Sequence, residues 1–147
     1  MTPTDRTSEI EAFFADFEQA SAREGWAHYG DLFLADFMNI DPSTAAPLAR
    51  DDLIAFLPLR RSVFERAGAT GTRLAGVQVR TLDTVHALAS TRWDVLFDHD
   101  HPPVTLETTF LLRHEDRWRI AVYLNHHSLL ELLASTAPEV GRVRHEQ

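Results

Sequence analysis

At 147 residues, with 44% hydrophobic and 24% charged side chains, the chain has the make-up of one globular domain. A net charge of −8 with no Lys/Arg-rich stripe argues against a nucleic-acid footprint, and the lack of any cysteine excludes disulfides, thiolate metal sites and Cys nucleophiles. No apolar run approaches the roughly 20 residues of a membrane span, and residues 1–10 lack the apolar core of a targeting peptide, so a cytoplasmic protein with no membrane partner is expected.

The first predicted element is a helix. Ser8 and Glu11 have capping-box spacing, Ile10, Phe13, Phe14 and Phe17 recur at helical intervals, and Gly25 is the expected stop. A second, short helix holds Trp26, Tyr29, Leu32 and Phe33. Residues 36–41 predict a short strand closed by Pro42, and residues 42–47 a polar loop. A further helix opens at Asp51 or Asp52 with Leu53, Ile54, Leu57 and Phe64 on one side. Pro58 inside it predicts a kink or two short helices, since proline has no N–H and clashes with the preceding turn. Arg60-Arg61, the densest basic point of the chain, reads as a solvated helix face.

Beyond Gly68 and Gly71 the pattern becomes β-rich, with runs near residues 72–82, 84–97, 104–113 and 117–127. The short breaks between them favour antiparallel hairpins. The run 84–97 would extend roughly 46 Å if straight, at about 3.3 Å per residue, so it must bend or bulge. Ser128 and Glu131 can cap a last helix through Leu133, ahead of a frayed polar tail over 136–147. Residues 1–135 are expected to form one domain. Helices followed by long antiparallel strands predict an α+β fold, with the N-terminal helices packed in the concave face of a strongly curved antiparallel sheet. Such a cone packs solidly at its narrow end and stays open for a ligand at its wide end.

Three segments resemble the nuclear transport factor 2-like superfamily, which includes the ketosteroid isomerases and the SnoaL-like polyketide cyclases. They are Asp36-Phe37-Met38-Asn39-Ile40-Asp41-Pro42 with Pro47 and Asp52-Leu53-Ile54, then Arg117-Trp118-Arg119-Ile120, then His127-Ser128. The resemblance spans roughly residues 8 to 133. It implies a cone-shaped α+β barrel, homodimerisation through the outer sheet face, and Asp41 at the position of the isomerase general base. It also implies a missing oxyanion hole. Phe17 stands where the isomerases keep a donor tyrosine, and Thr109 or Phe110 stands where they keep a protonated acid. Steroid isomerisation is therefore not expected. Asp41 before Pro42 reads equally well as a turn initiator.

Strand alternation divides the run 117–127 into Trp118, Ile120, Val122, Leu124 and His126 on one face and Arg119, Ala121, Tyr123, Asn125 and His127 on the other. The resemblance turns the second face toward the cavity, where Tyr123 and Asn125 would orient a polar ligand and His127 could move a proton near neutral pH. The alternative makes this face the solvated or dimer-facing side. Phe17 and Trp93 are candidate cavity walls, and Glu107 a candidate second carboxylate. No metal site is expected, because adjacent strand histidines such as His126 and His127 point to opposite faces and no His-Glu-x-x-His spacing exists. No cofactor is expected either. The sequence thus predicts a pocket for a small hydrophobic molecule. The enzymatic version is acid–base isomerisation, cyclisation or dehydration with Asp41 and His127 as catalytic groups. The rivals are a non-catalytic binding module and a structural dimer with a vestigial pocket.

Overall fold

The computed structural model describes residues 6–22, 26–98 and 100–128. Helix α1 (Arg6–Ala22) buries Ile10, Phe13, Phe14, Phe17 and Ala20, the helical stripe visible in the sequence. Helix α2 (Trp26–Asp31) follows, then strand β1 (Phe33–Asp41), strand β2 (Thr44–Ala49) and helix α3 (Arg50–Arg66). The remaining strands are β3 (Ala69–Thr81), β4 (His86–Phe97), β5 (Val104–His114) and β6 (Trp118–Asn125). They form one six-stranded sheet in the order β2-β1-β6-β5-β4-β3. Every neighbouring pair is antiparallel except β1 and β6, which run parallel. Helices plus this curled sheet make the expected α+β cone.

The sheet curls because its strands are bulged. Register shifts fall between Ala69 and Gly71 and between Leu74 and Gly76 on β3, and between Leu111 and Leu112 where β5 meets β6. Each inserts an extra residue that bends the strand and increases local twist. A bulge also frees backbone donors, and the Leu74 N–H is taken up by Glu18 Oε2 of α1 at 2.8 Å. That bond ties the helix into the concave face. Aromatic rings fill the narrow end. Phe17 lies 5.1 Å from Tyr29, 5.6 Å from Trp93 and 5.6 Å from Phe110 between ring centroids, and Phe14 lies 5.0 Å from Phe110.

Four details differ from the sequence expectations. Residues 44–49 form an edge strand, not a loop. Pro47 is tolerated there because an edge residue need not donate on its open side. Phe33 opens a strand instead of ending a helix, and its ring packs at a tilt among Tyr29, Phe37 and Tyr123. Helix α3 continues through Pro58, whose ring lies exposed. The anticipated break at 83 is a short turn in which Asp83 Oδ1 accepts from the N–H groups of Val85 and His86, at 2.9 and 2.7 Å, so β4 begins only at His86. The expected stop at Gly25, the helix through Leu133 and the tail over 136–147 lie outside the described residues. No helix among the described residues is long and apolar enough to cross a membrane.

Candidate functional site

Helix α3 faces the open end of the cone. Leu53 and Leu57 are buried on it. Arg60 and Phe64 continue the same stripe at spacings of three and four residues, so helical geometry carries Arg60 inward with them. Close packing fixes the helix there. A Cβ built on Gly30 of α2 would stand 2.5 Å from Ile54 Cδ1 of α3, so any larger residue there would force the Ile54 side chain to shift.

Two adjoining cavities result. The outer one, about 280 Å³, lies between the ends of α1, α2 and α3 and the start of β3, with Trp26, Tyr29, Leu57, Phe64 and Gly71 among its walls. The inner recess is small, about 40 Å³, and is lined by Phe17, Trp93, Leu106, Phe110, Tyr123 and Asn125. Ser21, Arg60, Phe64 and Thr72 border both cavities.

Arg60 stands at the junction. Its Nη1–H donates to the Tyr29 hydroxyl at 3.4 Å, and the Tyr123 phenol interacts with the same guanidinium. Burial opposes the charge on Arg60, but attraction to the Tyr123 and Tyr29 oxygens outweighs it and holds the pKa above the ordinary arginine value. Burial likewise pushes the Tyr29 phenol well above the usual tyrosine range, so it remains an O–H group at neutral pH. The recess floor is fixed by a buried relay. Trp93 Nε1–H donates to Thr91 Oγ1 at 2.9 Å, the Thr91 hydroxyl donates to the Thr108 carbonyl at 3.0 Å, and the Thr108 hydroxyl donates to Asn125 Oδ1 at 2.9 Å.

The sequence-predicted residues divide into two groups. Phe17, Trp93, Tyr123 and Asn125 meet at the inner recess. Strict alternation does not account for that meeting. In the β5–β6 register, Leu112 opposes Ile120 but Leu111 opposes Val122, so Ala121 is an extra residue on β6. Trp118 and Ile120 are buried on one side of this bulge and Tyr123 on the other, so parts of both predicted faces turn inward.

The other three predicted residues lie apart from the cavities. Asp41 sits in the β1–β2 hairpin, where its Oδ1 accepts from the Ser43 N–H at 2.8 Å and the Ser43 hydroxyl at 2.9 Å. This is a carboxylate closing a turn, and it lines neither cavity. Glu107 is exposed on the outer face of the sheet, in register with exposed Arg92. An inward direction is closed to it because Leu106 and Thr108 on either side are the buried residues of β5. His127 lies just past β6, half-buried, with Nε2 buried and without a hydrogen-bond partner among the described residues, and it too lines neither cavity. Among the described residues no group of three or more His, Asp or Glu side chains could hold a metal ion.

Sequence reasoning missed Arg60 and Tyr29. The signal was present, since Arg60 falls on the Leu53–Leu57–Phe64 stripe, but a basic pair reads by default as solvated.

The fold recurs in known proteins. An NTF-2-like protein of unknown function from Shewanella oneidensis superposes with a TM-score of 0.66 at 18% identity, covering 82% of this chain and 98% of its own. A protein of unknown function with a cystatin-like fold from Nostoc punctiforme gives 0.68 at 16% identity, covering 86% and 94%. A candidate ketosteroid isomerase from Parabacteroides distasonis gives 0.58 at 14%, covering 82% and 86%. At these identities the likeness is one of fold. No curated protein matches the sequence. The model of the family described as NTF2-like protein (DUF6841) matches residues 7–128, from the first turn of α1 to the residues just past β6. The chain therefore belongs to this family of NTF2-like proteins.

Proposed function

We propose that this protein binds a small hydrophobic molecule in the cleft between α2, α3 and β3, with Arg60 marking the polar end of the site. The observation that carries this reading is the outer cavity. Its volume of about 280 Å³ is close to the lower end of the range for ligand sites, and Trp26, Leu57 and Phe64 give it apolar walls beside a few polar groups. Binding is favoured over acid–base turnover for a chemical reason. A general base must reach the proton it removes. No Asp, Glu or His lines the inner recess among the described residues, and Glu65 is the one acidic residue on the outer cavity. Asp41 is engaged with Ser43 in its hairpin.

Gly71 offers a direct test. It lies on the cavity wall, and a Cβ there would meet nothing within 4 Å. Gly71→Trp should therefore fold normally while its indole occupies the cleft. Titration with indole and phenol, followed through tryptophan fluorescence and NMR shifts at the cavity walls, is expected to show saturable binding to the unaltered protein and loss of at least tenfold in affinity in the variant. Equal binding by both proteins would place the ligand elsewhere.

A further inference from the structure

The charge at the junction of the two cavities narrows the ligand class. Resting on the binding reading above, we propose that the natural ligand is a monocarboxylate with a compact apolar body, its carboxylate seated on Arg60 between Tyr29 and Tyr123.

A guanidinium set into a protein interior is ordinarily matched by a carboxylate, because removing a charge from water is costly unless a counter-charge replaces the solvent. The other arginines among the described residues obey that rule or avoid the problem. Arg6, Arg73, Arg113, Arg117 and Arg119 each pair with an acidic side chain. Arg50 makes two hydrogen bonds to the Phe33 carbonyl, at 2.7 and 3.1 Å. Arg66, Arg80 and Arg92 are exposed to solvent. Arg60 differs from all of them. No carboxylate among the described residues lies within ion-pair distance of it; its contacts are the Tyr29 and Tyr123 phenols and the face of the Phe64 ring, 5.8 Å from its centroid. Its bond to Tyr29, at 3.4 Å, is at the long limit for a hydrogen bond. Most of its donor capacity is thus available at the point where the two cavities meet.

The surrounding groups select the kind of anion. A guanidinium presents a planar fork that fits the two oxygens of a carboxylate. The Tyr29 and Tyr123 hydroxyls, each able to donate as well as accept, complete a neutral-plus-cation cradle suited to a single negative charge. A phosphate dianion would call for a second cation. Arg61, the other arginine on the outer cavity, is engaged elsewhere, donating to the Ala22 carbonyl at 3.0 Å and lying over the Trp26 ring, 5.3 Å from its centroid. Size limits the rest of the ligand. The inner recess, about 40 Å³ against about 280 Å³ for the outer cavity, is much the smaller, so the apolar body is placed outward against Trp26, Leu57 and Phe64.

The test compares matched acids and amides by isothermal titration at neutral pH, using hexanoate against hexanamide and phenylacetate against phenylacetamide, with inorganic phosphate as a third probe. The expected result is at least tenfold tighter binding of each acid than of its amide. Arg60→Met should lower acid binding to the level of the amide, and Arg60→Lys, which keeps the charge but loses the fork, should fall between. Circular dichroism checks that each variant folds. If Arg60→Met does not fold, Tyr29→Phe replaces it and should weaken the acids more than the amides. Acids and amides binding equally would overturn the carboxylate assignment and leave the hydrophobic cleft standing. An acid preference that survives in Arg60→Met, or phosphate binding as tightly as the acids, would also overturn it. Absence of binding by every probe would remove both this assignment and the cleft reading on which it rests.

Discussion

Arg60 and Asp41 show how charged side chains acquire different roles from their surroundings. Arg60, half-buried, continues the Leu53–Leu57 stripe and meets two phenols at the mouth of the recess. Asp41, the residue that resemblance makes a base, has its carboxylate in a two-residue turn with both bonds going to Ser43. A group so placed contributes to the hairpin and not to a ligand. Asp41→Ala is therefore expected to cost about 1 kcal/mol in urea unfolding, the usual net worth of such hydrogen bonds, and to leave binding of the indole and phenol probes unchanged. A loss of binding without a loss of stability would return Asp41 to the site. Both readings of Asp-Pro stood open in the sequence, because a turn carboxylate and a pocket carboxylate look alike until the hairpin partner strand is known.

At the scale of elements, the site depends on where strands stop alternating and how closely helices approach. The extra residue Ala121 rotates β6 so that Tyr123 and Asn125 join Phe17 and Trp93. Nothing in the composition of Ile120-Ala121-Val122 marks a bulge, and its position follows from pairing with β5. The α2–α3 contact is more demanding. Gly30→Ala places a methyl against Ile54, with Cγ1 at 2.7 Å and Cδ1 at 2.5 Å. Overpacking of this kind costs about 1–3 kcal/mol, and we expect a loss near the lower end because alanine regains about 1 kcal/mol of helix propensity. The double variant Gly30→Ala with Ile54→Val removes the clashing Cδ1 and should recover part of the loss in thermal unfolding. No recovery would show that α2 and α3 are not in this contact.

For the whole molecule, the titrating groups predict which conditions weaken the fold. Backbone donation from Val85, with the His86 side chain next, holds the Asp83 carboxyl below its usual range. A depressed carboxylate contributes stability above its unfolded pKa, near 4, and loses it as pH falls through the lower folded value. Asp83→Ala should thus lower Tm at pH 7, and the difference from the unaltered protein should shrink toward zero in strong acid. The Tyr29 shift acts at the other extreme. Burial raises its pKa, so its contribution is complete below the unfolded value near 10 and is lost as pH climbs beyond it. Tyr29→Phe should flatten the alkaline limb of the stability profile, and an unchanged limb would mean that this phenol is hydrated. The sequence by itself determined the α+β class and the phenylalanine stripe of α1, because hydrophobic period is a local property that burial must respect. It also brought Phe17, Trp93, Tyr123 and Asn125 forward as cavity walls. Only the tertiary structure decided that β2 pairs with β1, that Asp41 and Glu107 stand away from the cleft, and that Arg60 points into it. Those outcomes depend on strand register, on bulges and on which helix face meets the sheet, and each is fixed by partners distant along the chain.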